Sequence, residues 1–360
     1  MNYSFKQIYD FNNPDPLFFL CGVKYNEKTP QEDKRVVLKN FLDEKGYHSI
    51  ILEQHFVPGK NGEKLGYKFI ELKNLNDVET LACMLVDGIF IIHESHSTAA
   101  EIALFSSHES VANKVFILIP DNENVEENYF SGFLSLGYAN LIPKPIIFYP
   151  VTEKHLINEH NMKIFTYFNN NKIGENLKKE INKHLSTVIK AKKLKVIKCR
   201  YQMNIIDSIS YYFSSDNVLC ISVDVHLLKY YIMAIFNISD FRREFKHATK
   251  FFDVVSICEK WFGSILLNTI QCNEKIKIND FESVFVISNS VNTRLNLRKA
   301  ISFILYSFHA LGWVKIEPSD NSGISISKES ETSTGFKSIY TKYTDIICEY
   351  QPLNLKGILL

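Results

Sequence analysis

Val86 to Ser106 reads VDGIFIIHESHSTAAEIALFS, and this stretch decides the class of fold. Gly88 to His93 is a short, nearly continuous apolar run, which suits a strand buried on both faces. Small polar residues break the run at Ser95 to Ser97, and a helix starts near Thr98. A buried strand that leads straight into a helix is half of a β-α-β unit.

The flanking sequence repeats the pattern. Leu17 to Cys21 is an apolar run closed by Gly22. Thr29-Pro30-Gln31-Glu32 has the form of a capping box with Pro at the first helical position. Val36, Val37, Leu38, Phe41 and Leu42 then form a helical stripe that Gly46 stops. HSIILE (His48 to Glu53) reads as a second strand, and Asn76-Asp77-Val78-Glu79 caps a helix running to about Val86. KVFILIP (Lys114 to Pro120) is a fourth strand. Such alternation predicts an α/β domain with a mainly parallel sheet, whose ligands bind at the carboxyl ends of the strands where strand order reverses.

Beyond Asn122 the prolines at 143, 145 and 150 suggest loop. From Glu153 to Arg200 the chain reads as mostly helical and increasingly basic. AKKLKVIKCR (Ala191 to Arg200) is either a solvated helix face or a nucleic-acid contact. Further on, Lys275 to Ile278 reads as a strand, Asp280 to Ile287 as a short helix, and Asn292 to Leu311 as a long helix. Trp313 to Glu317 and Ile324 to Ser327 flank a hairpin turn at Ser319 to Gly323. This is a winged-helix order, with Arg294, Asn296, Arg298 and Lys299 at the start of the recognition helix. The same unit also serves for protein contacts alone. The expected organisation is therefore an α/β domain over 1–150, a helical linker or interaction region over 151–270, and a winged-helix-like domain over 271–360.

Chemistry concentrates in His93-Glu94-Ser95-His96-Ser97-Thr98-Ala99-Ala100-Glu101. The stretch places backbone N–H groups and hydroxyls beside a carboxylate at a helix N-terminus. Ser95, Ser97 and Thr98 suit phosphate or ribose hydroxyls, and Glu101, one turn in, suits the anomeric carbon of a sugar. Cleavage of an N-glycosidic bond passes through an oxocarbenium-like state, which a fixed carboxylate stabilises or attacks. His93, His96 and Glu53 are the nearby acids for a neutral leaving base. Thr98-x-x-Glu101 also has capping-box spacing, so a purely structural Glu101 stands beside the catalytic one. His93 and His96 have the same two readings. Asp87, at the remote end of the third strand, reads as a turn residue.

Composition excludes little. Hydrophobic residues at 46% support a full core, and 41 Lys and Arg against 40 Asp and Glu leave no global charge for nucleic acid. The seven cysteines form no C-x-x-C pair, which argues against a zinc site and for reduced thiols. No metal or cofactor is expected. No apolar stretch reaches membrane-spanning length, and the expected location is cytoplasmic.

FFLCG (Phe18 to Gly22), ILEQHF (Ile51 to Phe56) and Val86 to Ser106 together resemble the nucleoside deoxyribosyltransferase-like effectors of bacterial retron anti-phage systems. Val86, Asp87, Glu94, Ser95, Glu101, Phe105 and Ser106 fit that pattern in register, while Ser97 stands where the pattern usually has Gly. The resemblance covers roughly the first 120 residues closely. It implies a Rossmann-like sheet of the nucleoside deoxyribosyltransferase and TIR-like kind, with Glu101 as the catalytic glutamate. Gly22, Glu53, Glu94, Ser95, Ser97 and Thr98 would line the substrate. It implies a toxin acting on a nucleotide or NAD-like substrate, held silent by a reverse transcriptase and its multicopy single-stranded DNA (msDNA). Arg294, Arg298 and Lys299 would contact nucleic acid or partner, and self-association is compatible with it. Two rivals remain: a nucleotide-sensing, nucleic-acid-binding regulatory module without catalysis, and a toxin subunit with a degenerate catalytic half.

Overall fold

In this computed structural model the described residues are 2–23, 33–55, 72, 74–121, 132–138, 141–142, 146–150, 155–157, 163–165, 168–169, 172–199, 208–288, 295–316, 324–326 and 335–349. The chain divides into two compact units, each discontinuous in sequence. One comprises Asp15–Gly59 and Ala82–Lys190; the other comprises Met1–Pro14, Lys60–Leu81 and Ala191–Leu360. The expected boundaries at 150 and 270 do not coincide with this division. The N-terminal strands Tyr3–Phe5 and Ile8–Phe11 pair with Ile347–Glu349 and Lys192–Leu194, partners that no local pattern reveals.

The unit containing Asp15–Gly59 is built on five parallel strands. These are β1 (Leu17–Cys21), β2 (His48–Ile50), β3 (Gly88–Ile92), β4 (Val115–Asp121) and β5 (Ile147–Pro150), in the order β2-β1-β3-β4-β5. The first four match the expected strands, although β2 stops at Ile50 and Leu52–His55 turns helical. The fifth falls in the segment read as loop, where Pro145 and Pro150 flank a four-residue apolar run, Ile146 to Tyr149.

Helices cover both faces, as a parallel sheet requires. Phe18 and Leu20 of β1, Phe90 and Ile92 of β3, and Phe116 and Leu118 of β4 alternate onto one face. They pack with Val37, Leu38, Phe41 and Leu42 of α1 (Lys34–Glu44) in one buried core. On the opposite face Phe19 meets Phe105 of α2 (His96–Ser106), ring centroids 6.1 Å apart. Leu177, Ile181 and Leu185 of α3 (Glu175–Val188) complete the first core. Each such fully buried side chain contributes roughly 1.5–3 kcal/mol. Asp33 starts α1 by accepting the Arg35 N–H, and Gly46, at φ +76°, stops it. The capping box expected at Thr29 to Glu32 lies outside the described residues.

The other unit holds a mixed sheet of β6 (Val196–Lys198), β7 (Ile209–Phe213), β8 (Val218–Val223) and β9 (Glu282–Ile287), in that order. Between β8 and β9 come α4 (Val225–Ile235), α5 (Ser239–His247) and α6 (Phe251–Glu274). Every residue of α4 is buried. Two expectations are corrected here. Lys275 to Ile278 is no strand: Lys275 is the left-handed cap of α6, and a 3-10 turn follows at Ile278–Asp280. Asp280 to Ile287 is no helix, because Glu282–Ile287 pairs in parallel with β8 over six residues. Its β-branched and aromatic residues suit a pleated surface, and the neighbouring strand overrides the helical reading. Similarly, the expected helical character of 153–200 holds for α3 and fails elsewhere among the described residues, where His155–Ile157, Lys163–Phe165, Phe168–Asn169, Lys172–Ile173, Lys192–Leu194 and β6 are strands.

Helix α7 (Leu297–Ala310) begins at Asn296, whose side chain accepts the Lys299 N–H. The strands β10 (Val314–Ile316) and β11 (Ile324–Ile326) pair antiparallel as expected. Helix and hairpin are thus present, but the strand and helix that should precede them in a winged-helix order are replaced by β9. Moreover, α7 is buried continuously from Ala300 to Phe308, whereas a recognition helix must present a face. Arg294 and the turn at 319–323 lie outside the described residues. Among the described residues no helix is long and apolar enough to cross a membrane.

Candidate active site

Strand order reverses between β1 and β3, and at their carboxyl ends such sheets open a crevice for ligand. The groups borne there follow from the chain path. Gly22 leaves β1, the N-terminus of α1 follows in sequence, Glu53 follows β2, and Glu94 and Ser95 follow β3.

Arg35 organises one side. It is 1% exposed, and an unpaired buried guanidinium would be costly. Its Nη2 lies 2.9 Å from Asp33 Oδ2 and its Nη1 3.0 Å from Glu53 Oε1. Burial works against its charge, but the two carboxylates outweigh burial and raise its pKa above the ordinary value. A Cβ on Gly22 would meet Arg35 Cδ at 2.8 Å, so this position has no room for a side chain.

Glu94 organises the other side. Its Oε1 accepts from Lys34 Nζ at 2.5 Å and from Tyr149 Oη at 2.5 Å. Among the described residues nothing donates to Oε2. Tyr149, on β5, is buried; burial first, and the Glu94 charge second, push its phenol pKa far up, so its hydroxyl stays a donor.

The turn between β3 and α2 is fastened by Thr98. Its hydroxyl donates to the Ser95 carbonyl at 2.6 Å and accepts the Ser95 N–H at 3.3 Å. His93 Nδ1 lies 2.7 Å from the same hydroxyl. Since the single hydroxyl proton goes to Ser95, His93 Nδ1 carries the proton of that bond. Thr98 and His93 are both buried, while His96 and Ser97 are exposed. Ser95 Oγ and Ser97 Oγ are 2.8 Å apart. The helix begins at Ser95, which makes Thr98 the third helical residue and the partner in the cap. Glu101 therefore sits a turn beyond the capping position. It is half-buried, with Oε2 buried.

Asp87 lies at the opposite end of the sheet, where its carboxylate accepts the Leu17 N–H at 3.0 Å. Arg298 hydrogen-bonds Ser256 Oγ at 2.8 Å and the Phe252 carbonyl at 3.3 Å, both at the start of α6. Sequence reasoning missed Asp33, Lys34, Arg35 and Tyr149. Asp33 to Arg35 read only as the start of a helix, and Tyr149 sat in a proline-flanked loop. A hint was available in the Lys-Arg pair at a helix N-terminus, where cations oppose the helix dipole and need carboxylate partners.

The family model described as STM3845 retron effector protein matches residues 31–260. No curated protein matches the chain.

Proposed function

This chain belongs to the family of STM3845 retron effector proteins, and from that premise we propose that it is an anti-phage toxin acting on an N-glycosidic bond. The substrate class is a nucleotide or an NAD-like dinucleotide, and the protein is nucleoside deoxyribosyltransferase-like. Reverse transcriptase and msDNA hold it inactive. The observation that carries this reading is the placement of Glu101 on α2, past the cap, just after the strand-order reversal. Ser95 and Thr98 form the cap of α2, and a carboxylate one turn further on, at this edge of the sheet, would stabilise positive charge developing at an anomeric carbon.

In the reaction, the bond from C1′ to the base nitrogen breaks and its electron pair leaves with the base. Glu101 stabilises the resulting cation or bonds to it; water or an acceptor hydroxyl then bonds to C1′, displacing the carboxylate where one was bound, and gives its proton to solvent or to the histidine that protonated the base. A nicotinamide-type base leaves without a proton. For a neutral base the proton donor is His96, which is exposed. Ser95 and Ser97 at the N-terminus of α2 receive the phosphate or sugar hydroxyls.

The test is Glu101→Gln. The neutral isostere should leave thermal melting within about 1 kcal/mol of the wild type, and should cut base release or growth arrest roughly 10²- to 10³-fold. A well-folded Glu101→Gln protein with full activity would remove the catalytic reading and leave nucleotide sensing in its place.

A further inference from the structure

The carboxyl edge of the sheet holds a carboxylate that, among the described residues, has two donors on one oxygen and none on the other. Lys34, from the first turn of α1, and Tyr149, from the edge strand β5, both donate to Glu94 Oε1. The donors also touch one another, with Lys34 Nζ 5.5 Å from the centroid of the Tyr149 ring. Tyr149 itself is held from behind by Phe168, edge to face, with centroids 5.3 Å apart. A glutamate carboxylate normally turns freely about its last torsion. Two donors from different elements on one oxygen remove that freedom and fix the direction of Oε2.

We propose that Lys34 and Tyr149 are positioning residues, which aim Glu94 Oε2 at a hydroxyl of the substrate sugar and so set which sugars are accepted. The inference rests on the glycosidic reading of the site above. An ionised carboxylate only accepts hydrogen bonds, so the group it receives must be a donor. A phosphate would be repelled. Glu94 leads into the turn that starts α2, seven residues before Glu101. A sugar held with its anomeric carbon against Glu101 would offer ring hydroxyls to groups on that turn, whereas its base points away along the breaking bond. Lys34 is a third exposed and Glu94 a quarter, so substrate can reach this pair while Tyr149 stays fixed behind it. Sites built to accept a substrate hydroxyl reject analogues that lack it far more strongly than apolar sites do.

The experiment uses the purified full chain. Its probes are NAD and the adenosine, 2′-deoxyadenosine and 2′,3′-dideoxyadenosine 5′-monophosphates, with base release followed by chromatography and melting measured in parallel. Tyr149→Phe and Lys34→Met should lower kcat/KM on the best probe by about 10- to 100-fold. They should also narrow its preference over the probes lacking a hydroxyl by a similar factor, and Lys34→Arg should restore most of both. Melting covers the case in which a variant fails to fold, and Lys34→Met, at a partly exposed position, keeps the test open if Tyr149→Phe does so. Folded variants that keep both rate and preference would overturn the proposal. So would an equal loss on every sugar, which marks a structural role. The glycosidic reading fails separately, and takes this inference with it, if Glu101→Gln is fully active or the wild type releases base from no probe.

Discussion

Gly22 and Arg35 show how one missing Cβ shapes the site. Arg35 lies across Gly22 because Asp33 and Glu53 hold its guanidinium from two sides. Gly22→Ala pushes a Cβ into the Arg35 side chain at 2.8 Å, and the clamp leaves the arginine little room to move. The expected result is a loss of about 1–3 kcal/mol, seen as a lower melting temperature. An unchanged melt would show that the arginine is free to swing aside. The neighbouring Thr98 makes a related point. A spacing of three residues to Glu101 has the form of a capping box, yet the helix begins at Ser95 and Thr98 closes the turn. Where a helix starts depends on the strand before it, and β3 ends at Ile92, not at His93.

At the scale of elements, His309 ties the end of α7 to the β10–β11 hairpin. Its Nδ1 accepts the Ile316 N–H at 3.0 Å, which requires that nitrogen to be unprotonated. Burial is the main influence and lowers its pKa below the ordinary 6.5; the Val314 carbonyl opposes this and Lys315 reinforces it. The unfolded chain therefore takes up the proton more readily than the folded one. Stability from this contact is present above pH 6.5 and is lost as pH falls below that value. Melting measured between about pH 7.5 and 5.5 should fall more steeply for the wild type than for His309→Gln. Equal slopes would discard the role. In contrast to this hairpin, which alternation and a turn signal make legible, the residues of β9 carry a helical expectation that the structure replaces with a strand. A six-residue segment with alternating exposure becomes a strand only because β8 lies alongside it.

At the scale of the whole molecule, the question is whether the cations found in the sequence are available to nucleic acid. Of the six that lie among the described residues, at least four are already engaged. Lys192 Nζ lies 2.9 Å from His226 Nδ1, Lys195 lies 4.4 Å from the Tyr9 ring centroid, and Lys198 pairs with Glu274 at 2.7 Å. Arg298 is bonded to Ser256 and Phe252. Binding of the purified chain to a single-stranded DNA should therefore depend weakly on salt. The logarithmic slope should be no steeper than about −2 between roughly 50 and 200 mM, and Lys193→Ala with Lys299→Ala should change it by about 1 or less. A slope several times steeper would show that these cations leave their internal partners for phosphate. Contact with the retron partners would then be electrostatic, not chiefly protein to protein.

Side-chain alternation and helical stripes are local patterns, and they were enough to place β1, β3 and β4, α1 and the strand–turn–helix that bears Glu94 and Glu101. The proposal that this stretch is the chemical centre starts from residue types and order. Tertiary structure decided the rest. Strand partners separated by tens to hundreds of residues settled β9, the pairing of Tyr3–Phe5 with Ile347–Glu349 and the division into two discontinuous units. Pairing energy depends on which chain lies alongside, and that is absent from any window of sequence. The same holds in the crevice. Lys34, Glu94 and Tyr149 are separated by up to 115 positions, and only the order β2-β1-β3-β4-β5, with α1 at its carboxyl edge, brings the two donors onto one oxygen of Glu94.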